Sequence, residues 1–289
     1  MAILRPCLLA TTLLLTGFIQ TGNAADKEAN QPTLAEVVAA RSDEDKVRDS
    51  ARHPVETLEF FQLEPGMTVA EGLPGGGWYT RILANYLGED GVLYGVNYAD
   101  RMWPLIRSGD PEWIAQRIAA TGNFAGEVAT YTDSGITARG FTFETVPPEV
   151  VGTVDRVLLV RALHNLNRFE EQANTRSAAL AGVYAMLKDD GLVGVVQHRA
   201  PATASESGTD GSRGYLDEAA VILMFEEAGF ELVADSDINA NPLDQPGESD
   251  TVWRLPPSLR GNDDDPATLE AMRAIGESDR MTLLFRKAP

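Results

Sequence analysis

Apolar positions recur along this chain with two alternating periods. From Pro54, the residues Leu58, Phe61 and Phe60 give a short helix one buried face, and Pro65-Gly66 closes it with a turn. A strand is read at 67–71, then a helix at 78–87, a strand at 92–96, a helix at 111–121 behind an Asp110 cap, and a strand at 127–131. A strand at 154–160, a helix at 170–187 and a strand at 192–197 continue the alternation. Leu180, Tyr184 and Leu187 stand at helical spacing, whereas Val157-Leu158-Leu159-Val160 is the unbroken apolar run of a strand buried on both faces. After a helix at 216–228, closed by Gly229, further strands are read at 230–234 and 281–286. Such alternation specifies an α/β fold, a mostly parallel sheet with helices on both faces.

The ends of the chain read differently. Residues 1–24 carry one charge, Arg5, followed by an apolar stretch from Cys7 to Phe18 and the small residues Gly22-Asn23-Ala24. That is the layout of a secretory signal peptide cleaved after Ala24, and its apolar run is shorter than the ~20 residues of a membrane-spanning helix. Periplasmic or secreted placement follows, with no stable membrane insertion after cleavage. Residues 25–53 are polar, with a weak helical pattern in Leu34, Val37, Val38 and Arg41, and read as an N-terminal arm. The domain proper is expected over 54–289, with a long insertion at 239–276 between the last two strands. Cys7 is the only cysteine and would leave with the signal, which removes disulfides, thiolate catalysis and cysteine metal ligation.

Composition narrows the partners. The formal charge is −19, and no basic patch is visible to offset it, so nucleic acid is not an expected partner. A small-molecule substrate is. The histidines are dispersed, without metal-ligand spacing, and no metal site is expected.

The sharpest feature is the turn after the first strand, Glu71-Gly72-Leu73-Pro74-Gly75-Gly76-Gly77-Trp78-Tyr79-Thr80. Glycines there permit a tight turn and close approach of a ligand, and the following helix offers free amides to an anion. A dinucleotide fingerprint would need glycine at Thr80 or Pro74, a P-loop would need Gly-Lys-Ser/Thr, and a hydrolase elbow would need G-x-S-x-G. The chain meets none of these.

The segment Glu71 to Thr80 resembles motif I of class I S-adenosylmethionine-dependent methyltransferases. Arg48-Asp49, Arg52-His53-Pro54, Glu56-Thr57-Leu58, Phe60-Phe61, His198-Arg199-Ala200-Pro201, Asn239-Ala240-Asn241-Pro242, Val252-Trp253-Arg254-Leu255-Pro256-Pro257 and the run from Ile275 to Met281 resemble a subgroup of predicted methyltransferases with export signals. The resemblance implies a Rossmann-like, seven-stranded, mostly parallel sheet with an antiparallel last strand. It also implies S-adenosylmethionine as cofactor and methyl transfer to an unknown small acceptor. It gives Gly75, Gly76 and Gly77 the backing of the cofactor's amino-acid part, with Glu71 beneath them, Asn97 at the ribose hydroxyls and Asp133 near the adenine amine. Two positions depart from the usual pattern. Leu73 stands where a glycine is usual, and Asn97 replaces an acid, with one acceptor oxygen and no charge. These departures keep open an alternative, a noncatalytic ligand-binding or regulatory protein on the same fold.

Three histidines remain to be placed. His164 follows the fourth strand and His198 the fifth, where open parallel sheets bind ligands, and both are candidate catalytic residues. An imidazole titrating near neutrality would suit proton removal from a hydroxyl or ammonium acceptor. His53 precedes Pro54 and reads as helix entry.

Overall fold

The computed structural model describes residues 31–261 and 265–289; the expected signal segment lies outside them. Seven strands form one sheet in the order β3-β2-β1-β4-β5-β7-β6: β1 Thr68–Gly72, β2 Val92–Asn97, β3 Thr137–Thr142, β4 Val154–Val160, β5 Leu187–His198, β6 Phe230–Ser236 and β7 Arg280–Lys287. β1 to β5 run parallel, whereas β7 runs antiparallel to both β5 and β6. This is the Rossmann-like α/β sheet expected. The chain builds outward from β1 through β2 to β3, then returns to β4 on the other side of β1. The carboxyl ends of β1 and β4 therefore flank the switch point, where such sheets bind ligands.

Alternation along the strands divides the core in two. Val157 and Leu159 pack on one face with Ala70, Val193, Val195 and Phe225, while Leu158 packs on the other with Leu58, Phe61, Val69, Ile82 and Leu83. Residues expected as an arm belong to this second layer from Thr33 onward. Helix α1 (Leu34–Ala39) carries a Thr33–Glu36 capping box and buries Leu34, Val37 and Val38. Short helices α2 (Asp43–Lys46) and α3 (Asp49–Arg52) follow, and α4 (Pro54–Phe60) begins with proline at its first position.

The expected strand at 127–131 is corrected. Helix α6 (Pro111–Val128) runs on through Gly122, because Thr121, Phe124 and Val128 continue one buried stripe. The third strand lies later, at 137–142, half-exposed on the sheet edge. The helix expected at 170–187 is also divided, since Asn174 turns left-handed (φ 50°) ahead of α8 (Thr175–Met186). Helix α5 (Trp78–Leu87) follows the glycine turn, and α7 (Leu163–Arg168) follows β4. Helix α9 (Glu218–Glu227) is capped by Asp217, and α10 (Pro266–Ile275) stands in the long connection between β6 and β7. Among the described residues no helix is long and apolar enough to cross a membrane.

Candidate functional site

The turn after β1 is built from left-handed residues: Leu73 at φ 55°, Gly75 at 60° and Gly77 at 74°. At Leu73 this conformation costs a branched residue roughly 1–2 kcal/mol, a strain that clusters at ligand sites. Gly75 and Gly76 line a cavity of about 330 Å³. A Cβ added at Gly76 would meet nothing within 4 Å, so that face of the turn is open. Gly77 serves otherwise. Its Cβ would stand 2.6 Å from the Tyr131 hydroxyl, so the missing side chain makes room for Tyr131.

Glu71 lies buried under the turn, where Thr80 Oγ1 donates to its Oε2 at 2.6 Å. Burial is the largest influence on it and pushes its carboxyl up to about 7.

Asn97 closes β2 as expected, and its Nδ2 donates to Thr121 Oγ1 at 3.0 Å, which ties the amide to α6. Next to it, the buried Tyr98 hydroxyl donates to the Ala162 carbonyl at 2.7 Å. The ring therefore reaches from the end of β2 to the end of β4, past the carboxyl end of β1 between them. Asp133 is not beyond the third strand. It is an exposed residue preceding β3, at the end of the sheet opposite the glycine turn, because α6 runs seven residues further than its pattern suggested.

The sequence candidates His164 and His198 come together, with ring centroids 5.6 Å apart. Both are buried. His164 Nδ1 faces Gln197 Oε1 at 3.4 Å, and His198 Nδ1 faces Ser278 Oγ at 2.6 Å. Burial holds His164 down at about 4 and drives His198 well below its ordinary value, with the neighbouring imidazole adding to the effect. The expectation of a histidine titrating near neutrality is thus corrected, for both rings are neutral at pH 7. They line a second cavity of about 260 Å³, which shares Leu73, Val160 and Arg161 with the first. His53, at φ 40° between α3 and α4, lines neither.

Several contributors came from segments that carried no assigned role. Trp253, Pro256-Pro257, Glu277 and Ser278, from the β6–β7 connection, wall the second cavity, with the Trp253 ring 6.0 Å from His164. Buried Asp244 fixes this connection, accepting from Arg254 Nη2 at 2.8 Å, the Tyr215 hydroxyl at 3.0 Å and the Asp279 amide at 3.0 Å. Asn241 Nδ2 adds bonds to the Ile275 and Glu277 carbonyls at 2.9 and 2.6 Å. Arg48 and Arg52 wall the first cavity, and Arg161 faces both. The signal for Arg161 was present, a cation immediately after the apolar run of β4. Arg199, next to His198, is engaged elsewhere with Asp279, Glu218 and Asp237. Residues from the sequence blocks near 48–54, 198–201, 252–257 and 275–281 thus line adjoining cavities at the switch point, and Asn241 of the block at 239–242 braces the last of them.

No protein-family model matches this chain, and no curated protein matches it. Solved structures do share its fold. A geranyl diphosphate methyltransferase in complex with S-adenosylmethionine superposes with a TM-score of 0.51 at 13% identity, covering 88% of this chain and 90% of that one. A SAM-dependent methyltransferase from Aquifex aeolicus gives 0.45 at 16% identity, over 72% and 94%. At these identities the likeness concerns the fold, a seven-stranded methyltransferase-like sheet.

Proposed function

We propose that this chain is an S-adenosylmethionine-dependent methyltransferase acting on a small acceptor, and that it works in the periplasm or outside the cell after cleavage behind Ala24. The observation that carries this reading is the open face of Gly75-Gly76 over buried Glu71, at the carboxyl end of β1 on a methyltransferase-like sheet. Those residues suit the amino-acid part of the cofactor, and the Asn97 amide oxygen would face the ribose. The cofactor supplies a methyl group on positively charged sulfur, which an aligned nucleophile can displace. The chain's own contribution is alignment within a pocket walled by Trp253, together with neutral imidazoles at His164 and His198 that can accept a hydrogen bond from the acceptor.

A second reading, a noncatalytic ligand-binding protein on this fold, is favoured by Leu73 in its left-handed turn and by Tyr98 spanning β1. Isothermal calorimetry with S-adenosylmethionine and S-adenosylhomocysteine separates them. A dissociation constant between about 1 μM and 1 mM, the range usual for enzyme substrates, is expected. Absence of binding to both would overturn the transferase reading and leave the second. For localisation, mass spectrometry of the extracytoplasmic form is expected to show a chain starting at Ala25; an intact Met1 form confined to the cytoplasm would refute export.

A further inference from the structure

Four arginines from distant parts of the chain meet beside the carboxyl ends of β1 and β4. Arg48 and Arg52 flank and end α3, Arg161 follows β4, and Arg280 opens β7. Arg52 and Arg280 are 2% and 3% exposed. Three of the four share one buried carboxylate: Glu277 accepts from Arg48 Nε at 2.7 Å, Arg52 Nε at 3.3 Å and Arg280 Nη1 at 3.1 Å. Of the acids on the N-terminal helices, Asp45 is taken by Arg81 and Asp49 by Arg41, while Glu44 stands exposed at the rim of the same cavity. The burial that weakens Arg52 and Arg161 still leaves them near 9 and 10, so both are cations at neutral pH.

The cluster is therefore short of negative charge, and it is short of acceptors too. Arg48 Nη2, Arg52 Nη2, Arg161 Nε and Arg280 Nε are all buried without a hydrogen-bond partner. Buried polar groups are nearly always satisfied, and an uncompensated buried charge is strongly destabilising. Four unpartnered donors in one place, on four cations with the single carboxylate of Glu277 among them, favour a ligand that brings both charge and acceptor oxygens. Arg48, Arg52 and Arg161 all face the cavity of about 330 Å³ beneath Gly75. Arg52 is also held in position, its guanidinium 4.6 Å from the centre of the Trp78 ring.

We propose that the side of this cavity walled by Arg48, Arg52 and Arg161, across from the Gly75-Gly76 face that would back the cofactor's amino-acid part, binds a compact, doubly charged oxyanion, a phosphate or dicarboxylate group. Planar guanidinium forks match either group. Resting on the transferase reading, the dianion is part of the methyl acceptor. The cofactor's one carboxylate comes with a sulfonium and an ammonium, so the cofactor alone leaves the cluster's positive charge uncompensated.

The test is thermal unfolding of the full chain without S-adenosylmethionine, against rising inorganic phosphate, rising succinate, and sodium chloride at matched ionic strength. The wild-type midpoint is expected to rise with phosphate or succinate beyond the chloride control, and the anion that acts identifies the group recognised. Arg161→Met is expected to unfold at a higher temperature than wild type without added anion, since it removes a half-buried charge whose Nε is buried without a partner, and to lose the anion-dependent rise. Arg48→Gln, at a half-buried site, keeps the fold and is expected to weaken anion binding about tenfold, the loss of one charged contact. No response to either anion beyond chloride, or a full response in both variants, would overturn the proposal. Because the cofactor is absent from this experiment, its failure to bind in calorimetry would sink the transferase reading alone.

Discussion

Gly75→Val is expected to weaken binding of S-adenosylhomocysteine by at least about 100-fold, a loss near 2.7 kcal/mol, while the protein still folds. Gly75 sits at φ 60°, where a β-branched residue is a steric outlier, so the turn must rearrange to accept it. The added methyls would also enter the cavity that Gly75 lines. The damage stays local, because the nearest atom to a Cβ there is the Leu73 carbonyl at 3.7 Å and no core side chain is displaced. Gly76→Ala separates the two causes, for Gly76 has ordinary φ and open space around it. It adds bulk without strain, and weaker binding in it would mean that the ligand itself approaches the turn. Calorimetry on both variants, with circular dichroism to verify folding, is the measurement. Wild-type affinity in Gly75→Val would move the cofactor site away from this turn.

The parts of the fold that could be read from the sequence are those whose burial imposes a period. β1, β4 and β5 are covered on both faces and announce themselves as apolar runs, and α5 has a strong one-sided pattern. β3 is different. Thr137-Ala138-Arg139-Gly140-Phe141-Thr142 lies on the sheet edge, half in solvent, and mixes small, polar and charged residues, so the sequence pattern points to a strand at the end of α6 instead. Misplacing that strand also misplaced Asp133. At the site, the glycine turn was legible because left-handed backbone demands a residue type. The arginine cluster was not, because its cavity-facing members come from residues 48, 52 and 161, and no local pattern predicts that they share one space. Protonation was the other invisible quantity. Nothing in the sequence distinguishes a strand-end histidine in solvent from one pressed against a second imidazole and Trp253.

Those hidden protonation states give the second large effect, in which two buried groups pull stability in opposite directions across one pH window. Glu71 keeps its proton in the folded protein up to about 7, whereas in the unfolded chain it would lose it near the ordinary 4.5. Its contribution is therefore fully present below 4.5 and is lost as pH rises through 7, by ~3 kcal/mol at the ordinary cost of 1.36 per unit. His164 has the reverse sense. It refuses a proton in the folded state until about 4, against 6.5 when unfolded, so its contribution is complete above 6.5 and is lost as pH falls through 4, again by ~3 kcal/mol. Glu71→Gln mimics the protonated acid and can still accept from Thr80. It is expected to match wild type at pH 4 and to exceed it at pH 8 by ~3 kcal/mol. His164→Asn, compared with wild type at the same two values, is expected to gain its relative advantage at pH 4 instead. His198 acts in the same sense as His164 and remains in both variants, so only differences from wild type are diagnostic. Urea denaturation at pH 4, 6 and 8 measures them. If Glu71→Gln shows the same difference from wild type at pH 4 and pH 8, Glu71 is ionised in the folded protein, and the turn above it rests on a charge rather than on a held proton.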